Sequence, residues 1–124
     1  MRIFLIMQFS ETPKFTQKIT QLLTDDEYRE LQDSLIENPI LGKVLKKLGG
    51  ARKLRHAAKN KGKSGGIRVI YYYQVESAIN FLLAFSKNEK ENLTAVDEKM
   101  IINLVDAIKK EERYEKDKNF RDNY

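Results

Sequence analysis

The chain has 124 residues and an ordinary 41% apolar content, enough for one modest hydrophobic core. Its longest apolar runs are three to five residues, far short of the roughly 20 that span a bilayer, and it has no cysteine, which excludes disulfides and thiolate metal sites and fits a reducing cytoplasm. The net charge of +5 hides an asymmetry: residues 38–75 hold ten Lys or Arg and no Asp or Glu, which leaves thirteen basic against eighteen acidic residues elsewhere, and so local an excess favours a polyanionic partner.

Met1 to Phe9 alternates in polarity and lacks a small-residue cleavage site, so it reads as a first strand and not as a signal peptide. Thr12-Pro13 starts a helix, because proline is tolerated at the first helical position, and Phe15, Ile19, Leu22 and Leu23 share one face of it. Thr24-Asp25-Asp26-Glu27 resembles a capping box and opens a second helix with a Tyr28, Leu31, Leu35 stripe. Asn38-Pro39 ends it, since the residue before proline is pushed out of helical geometry. Beyond Gly49-Gly50, strands are predicted over 52–58, 67–75 and 79–86, with Lys59 to Gly66 as a turn segment and Gly65-Gly66 as turn chemistry. Thr94-Ala95-Val96-Asp97 caps a last helix whose inner stripe is Met100, Ile101, Leu104, Val105 and Ile108. The order β-α-α-β-β-β-α predicts an α+β fold: a small twisted, mostly antiparallel sheet with two N-terminal helices and a C-terminal helix, the helices covering one face. Residues 1–110 make a single domain, and the charged tail 111–124 is expected to fray.

Strand alternation puts Lys53 and Arg55 on one face and Arg52, Leu54 and His56 on the other. If Leu54 faces the core, Lys53 and Arg55 face outward. The next strand contributes Arg68, with Ile70 and Tyr72 on its side, and the connecting hairpin contributes Lys59, Lys61 and Lys63. Cations on adjacent strands with a flexible basic loop suit a folded single-stranded nucleic-acid backbone, with an aromatic left for stacking. The same set suits RNA cleavage by the 2′-hydroxyl, in which arginine neutralises charge on the phosphate and a lysine moves protons. Without a carboxylate the block is poor at holding Mg²⁺, so metal-independent transesterification is expected, with no cofactor and no metal site. His56, on the Leu54 face, reads as a semi-buried histidine, and Tyr71-Tyr72-Tyr73 as largely core packing. Gly62-Lys63-Ser64 is not a phosphate loop, because Ala57 stands where the first glycine is required and a strand follows. Asp25-Asp26-Glu27 is helix capping.

Three stretches carry a specific resemblance. They are Gly49-Gly50-Ala51-Arg52-Lys53-Leu54-Arg55, then Lys61-Gly62-Lys63-Ser64-Gly65-Gly66-Ile67-Arg68-Val69-Ile70-Tyr71-Tyr72, then Leu82-Leu83, Lys87-Asn88-Glu89 and Asn92-Leu93-Thr94. In this order they resemble the HigB branch of the RelE-like toxins of type II toxin–antitoxin systems. The resemblance is closest over residues 49–94 and implies a RelE/ParE-like fold. It also implies a cytoplasmic, metal-independent endoribonuclease that cuts mRNA in the ribosomal decoding site and stops translation. The implied partners are mRNA, the ribosome and a cognate helix-turn-helix antitoxin of the HigA kind, with no membrane. The family's Gly-x-Arg-hydrophobic pattern falls on Arg68, and its paired basic strand positions fall on Lys53 and Arg55. The expected catalytic set is therefore Lys53, Arg55, Arg68 and Lys63, with Arg52, Lys59, Lys61, Lys87, Asn88 and Tyr72 binding RNA. Two departures stand out: Lys87-Asn88-Glu89 replaces a Lys-Arg-Glu sequence, and Thr94 occupies the position of a catalytic tyrosine. The alternatives are a non-catalytic RNA- or ribosome-binding module and a ParE-like gyrase inhibitor.

Overall fold

Strand β1 (Gln8–Glu11) leads into helices α1 (Pro13–Leu22) and α2 (Asp25–Glu37), and a two-residue strand β2 (Lys43–Val44) with a 3₁₀ turn at Lys46–Leu48 follows. Strands β3 (Arg52–Ala58), β4 (Gly62–Gln74) and β5 (Ala78–Ser86) come next, and helix α3 (Ala95–Asn123) closes the chain. The computed structural model describes residues 7–58, 62–90 and 92–123, with backbone alone for 62–65 and 119–123. Residues 1–6 of the expected first strand lie outside the described residues. The sheet order is β1-β5-β4-β3-β2, with β1 parallel to β5 and every other pair antiparallel. This is the expected α+β fold with its β-α-α-β-β-β-α order, extended by the short β2.

The caps form as the sequence indicates. Thr12 Oγ1 accepts from the Phe15 N–H with Pro13 at the first turn, and Thr24 and Glu27 exchange backbone and side-chain hydrogen bonds in a full capping box. At α3 the same reciprocity holds between Thr94 and Asp97: the Asp97 N–H donates to Thr94 Oγ1 at 3.1 Å, and the Thr94 N–H donates to Asp97 Oδ2 at 3.0 Å. Each such box satisfies amide groups that the helix leaves unpaired.

The helices do not share one face of the sheet, contrary to the expectation from the order of elements. Phe15, Ile19, Leu23, Leu31 and Leu35 of α1 and α2 pack with Leu54, Ile67, Val69, Tyr71, Ile79 and Phe81, while Ile101 and Val105 of α3 pack on the opposite side with Leu48, Ile70, Leu83 and Phe85. The reason lies in β4 and β5. Their residues are buried on both alternating faces, from Ile67 to Tyr71 and from Ile79 to Ser86, and a strand apolar on both faces needs cover on both. A bulge sharpens the split. Ile70 pairs with Leu83 but Tyr71 with Phe81, so Leu82 is an extra residue, and Leu82 and Leu83 both join the α3 core.

Two boundaries also differ from expectation. Strand β4 begins at Gly62, so Gly65-Gly66 belongs to a strand and not to a turn. The segment from Glu111, expected to fray, is helical through Asn123. Asp106→Lys110 and Glu112→Lys116 stand at the favourable i, i+4 spacing, and Glu, Lys and Arg are good helix formers. Among the described residues no helix is long and apolar enough to cross a membrane.

Candidate active site

Four strands and loops turn cations toward one place. Lys53 lies directly across from Lys43 in the β2–β3 pair, and Arg55 lies directly across from Arg68 in the β3–β4 pair. Alternation puts all four on the α3 face of the sheet. Together with Leu45, Lys87 and Asn92 they line a cavity of about 490 Å³ to which α3 contributes no residue. Five of the seven lining residues are cationic and none is acidic. Lys43, Lys53, Arg55 and Lys87 join no ion pair among the described residues. Arg68 is 5% exposed, with a guanidinium N–H directed to the Gly66 carbonyl at 3.5 Å, while Arg55 is exposed at the rim.

Like charges placed directly opposite across strands work against folding, by roughly 0.2–1 kcal/mol for such a pair. Two of these pairs on one face are a cost that an anion would offset. Arg55→Gln is therefore expected to raise stability by roughly 0.5 kcal/mol, seen in calorimetry as a melting midpoint about 2 °C higher. Added sulfate, which binds only the folded site, should raise the midpoint of the parent protein more than that of the variant. A drop of more than about 1 kcal/mol in Arg55→Gln would mean that Arg55 is a structural residue.

The wall carrying Lys43 is fixed from beneath. Tyr71 is fully buried; its hydroxyl donates to the Pro39 carbonyl at 2.8 Å and accepts from the Gly42 N–H at 2.8 Å. Burial raises the Tyr71 pKa, against the opposing pull of the Gly42 N–H and the Arg52 charge, so the phenol stays protonated. Gly42 is required here, because a Cβ would stand 2.8 Å from the Tyr71 ring. Arg52 reaches the same loop, donating to the Gly42 and Ile40 carbonyls at 2.8 and 3.3 Å.

The loop after β5, which carries Lys87 and Asn92, is strapped to two helices. Glu89 pairs with Lys18 of α1 at 2.5 Å, and Lys90 pairs with Asp97 of α3 at 2.6 Å. Burial works against the Asp97 charge, but the Lys90 ammonium and the Thr94 hydrogen bonds outweigh it and hold the carboxyl below its usual 3.8. A carboxyl depressed in the folded state stabilises that state above its unfolded pKa. Its contribution to stability should therefore be complete above about pH 4 and fade as the pH falls through the lower folded value. Acid titration of Asp97→Asn, which lacks this group, should show a correspondingly shallower loss of stability below pH 4 than the parent. Equal slopes would remove the pair from the account.

Of the sequence-derived site residues, the structure gathers Lys53, Arg55, Arg68 and Lys87 at the cavity. Arg52 instead holds the Ile40–Gly42 loop, and Asn88 is exposed outside the lining. Tyr72 is half-buried against the α3 core with the Lys109 ammonium 5.8 Å over its ring, away from the cavity. Burial, and then the Glu112 charge, raises its pKa. Lys59 and Lys61 lie outside the described residues, and the side chain of Lys63 does as well. His56 alternates onto the Leu54 face, away from the cavity. Thr94 is the α3 cap, so the tyrosine position it occupies has a structural use here. Lys43, Leu45 and Asn92 were not singled out from the sequence as site residues. The signal for Lys43 was faint: two residues pairing with β3 after a Pro-Gly loop, too short for periodicity to reveal.

A small α+β domain that gathers five cations into one cavity, without a carboxylate among its described lining residues, defines a protein built to grip a polyanion. A family model described as the RelE toxin of the RelE/RelB toxin–antitoxin system matches residues 1–119. The chain belongs to the RelE toxin family; it is the toxin of a toxin–antitoxin system, and its partner is an antitoxin.

Proposed function

We propose that this toxin is a ribosome-dependent endoribonuclease that cuts mRNA by 2′-hydroxyl attack and stops translation. The observation that carries the reading is the Arg55–Arg68 pair beside Lys53 in a cavity with no acid among its described lining residues. In the reaction the ribose 2′-oxygen attacks phosphorus, its proton leaves to a base, the bond to the 5′-oxygen breaks, and that oxygen takes up a proton. The products are a 2′,3′-cyclic phosphate and a free 5′-hydroxyl. Arg68, held at the cavity floor, and Arg55, at the rim, face charge that grows on the non-bridging oxygens, where fixed guanidinium donors act most strongly. Lys53 or Lys63 moves the protons, and Lys43 and Lys87 hold flanking phosphates. The described lining offers five cations, the Asn92 amide and no carboxylate, a set unsuited to Mg²⁺.

In this reading the substrate is mRNA in the decoding site and the antitoxin is of the helix-turn-helix HigA kind; family membership and the HigB-like motifs support it. Induction of the chain should arrest growth, and primer extension on a translated message should show new 5′ ends. A module that binds RNA without cutting it would show salt-dependent binding, with a slope near −0.7 per phosphate contacted, and no new ends.

A further inference from the structure

Strand β2 is two residues long, yet it holds Lys43 directly across from Lys53, a like charge that works to push it away. So short a pairing specifies its own register weakly. The chain after β2 is tied through its backbone, the Leu45 N–H donating to the Ala51 carbonyl at 2.8 Å. The chain before it is tied by side chains that come from beyond the cavity. Val44, Arg52 and Tyr71 stand in register across β2, β3 and β4, and Lys43, Lys53 and Ile70 form the next row. The Tyr71 ring belongs to the α1–α2 core, while its hydroxyl holds the Pro39 carbonyl and the Gly42 N–H at once. Arg52 adds bonds to the Ile40 and Gly42 carbonyls. Gly42 is buried and backs onto the phenol so closely that the loop has no room to slide. Lys43 is the next residue and is exposed, so the placing of its backbone decides where its ammonium can reach.

We infer that Tyr71 and Arg52 are positioning residues for message cleavage, acting on the RNA only by setting Lys43 at the cavity wall. The inference rests on the endoribonuclease reading. Neither residue lines the cavity, so neither is placed to touch a phosphate bound in it. What they fix is the loop that β2 cannot hold by itself. The phenol donates and accepts in one place, which phenylalanine cannot do, and without it two backbone groups of the loop lose their partner. A lysine whose backbone is preset loses less freedom when it meets a phosphate than one on a drifting loop. Lys43 holds a flanking phosphate in ground state and transition state alike, so its misplacement weakens binding and leaves the bond-breaking step intact. A cation in the basic block thus serves the RNA through a loop and not through contact.

The experiment measures single-turnover cleavage on programmed ribosomes against toxin concentration and salt, for the full-length parent, Lys43→Ala, Tyr71→Phe, Arg52→Gln, and the last two each combined with Lys43→Ala. Lys43→Ala should raise the half-saturating concentration about fivefold at about 0.1 M salt, the counterion release of one phosphate contact, with the maximal rate within about twofold. Tyr71→Phe and Arg52→Gln should each raise it by a similar factor and flatten the log–log salt dependence by about 0.7. Added to Lys43→Ala, neither should change it by more than about 1.5-fold, because the lysine through which they act is gone. A Tyr71→Phe effect that lowers the maximal rate and persists without Lys43 is that of a merely structural residue and overturns the positioning role. An Arg52→Gln effect that persists without Lys43 does the same, returning Arg52 to direct RNA contact, and so does a Lys43→Ala variant that saturates like the parent. If Tyr71→Phe does not fold, Arg52→Gln carries the test alone. No cleavage of any message by the parent overturns the nuclease reading itself.

Discussion

Arg68→Ala is expected to lower message cleavage by about 10²–10³ and to let induced cells resume growth, while the protein keeps its fold. The size follows from where Arg68 sits. It is 5% exposed, directly across the strand pair from Arg55, on the floor of a cavity lined by three further cations. A guanidinium held there needs no reorganisation when the phosphate gains charge, and fixed donors of this kind carry much of a transition state's stabilisation. Arg68→Lys should recover little, because an ammonium is a point charge and cannot offer two parallel donors to phosphate oxygens. Circular dichroism and a melting curve establish that each variant is folded. Undiminished arrest by a folded Arg68→Ala protein removes Arg68 from the mechanism.

Gly66→Ala should unfold the site from the other direction, lowering stability by about 3 kcal/mol or more. The added Cβ would stand 2.4 Å from the His56 carbonyl oxygen and 3.3 Å from the Ala57 Cα, both backbone atoms that no rotamer change moves away. Here the β3–β4 register slips between His56 and Ala58, and the two chains approach more closely than side chains allow. The melting midpoint should fall by about 10 °C or more. Activity should fall with it, since the same strand pair sets Arg55 against Arg68. An unmoved midpoint would show that the strands can part at no cost.

These two residues also mark what the sequence could and could not reveal. Arg68 was legible because a buried-strand pattern surrounds a single arginine with no nearby acid, and because alternation on β3 assigned Lys53 and Arg55 to one side of Leu54. Gly66 was misread as turn chemistry. A Gly-Gly pair signals a loop and a close backbone approach in the same letters, and only the position of β3 separates the two. The helix starts were legible from Thr-Pro and Thr-x-x-Glu or Thr-x-x-Asp spacings, since capping is local chemistry. The division of helices between two faces was less so. It depends on β4 and β5 being apolar throughout, which β-branched and aromatic propensity alone also explains. Lys43 and Asn92 reach the cavity through a two-residue strand and a strapped loop, held by Tyr71 and Lys18 from distant parts of the chain, and no local pattern encodes such tertiary ties. Arg52 and Tyr72 show the converse. Basic or aromatic letters within the charged block were read as contacts for RNA, yet one supports a loop and the other lies under α3.

The most direct test is a nuclear magnetic resonance titration with a short RNA carrying a 2′-deoxy sugar at the scissile position, so that binding is seen without cleavage. The account predicts amide and side-chain shifts centred on Lys43, Lys53, Arg55, Arg68 and Lys87, weakened by added salt and lost in Arg55→Gln/Arg68→Ala. Shifts centred on the α1–α2 face, or unaffected by that double substitution, would contradict it.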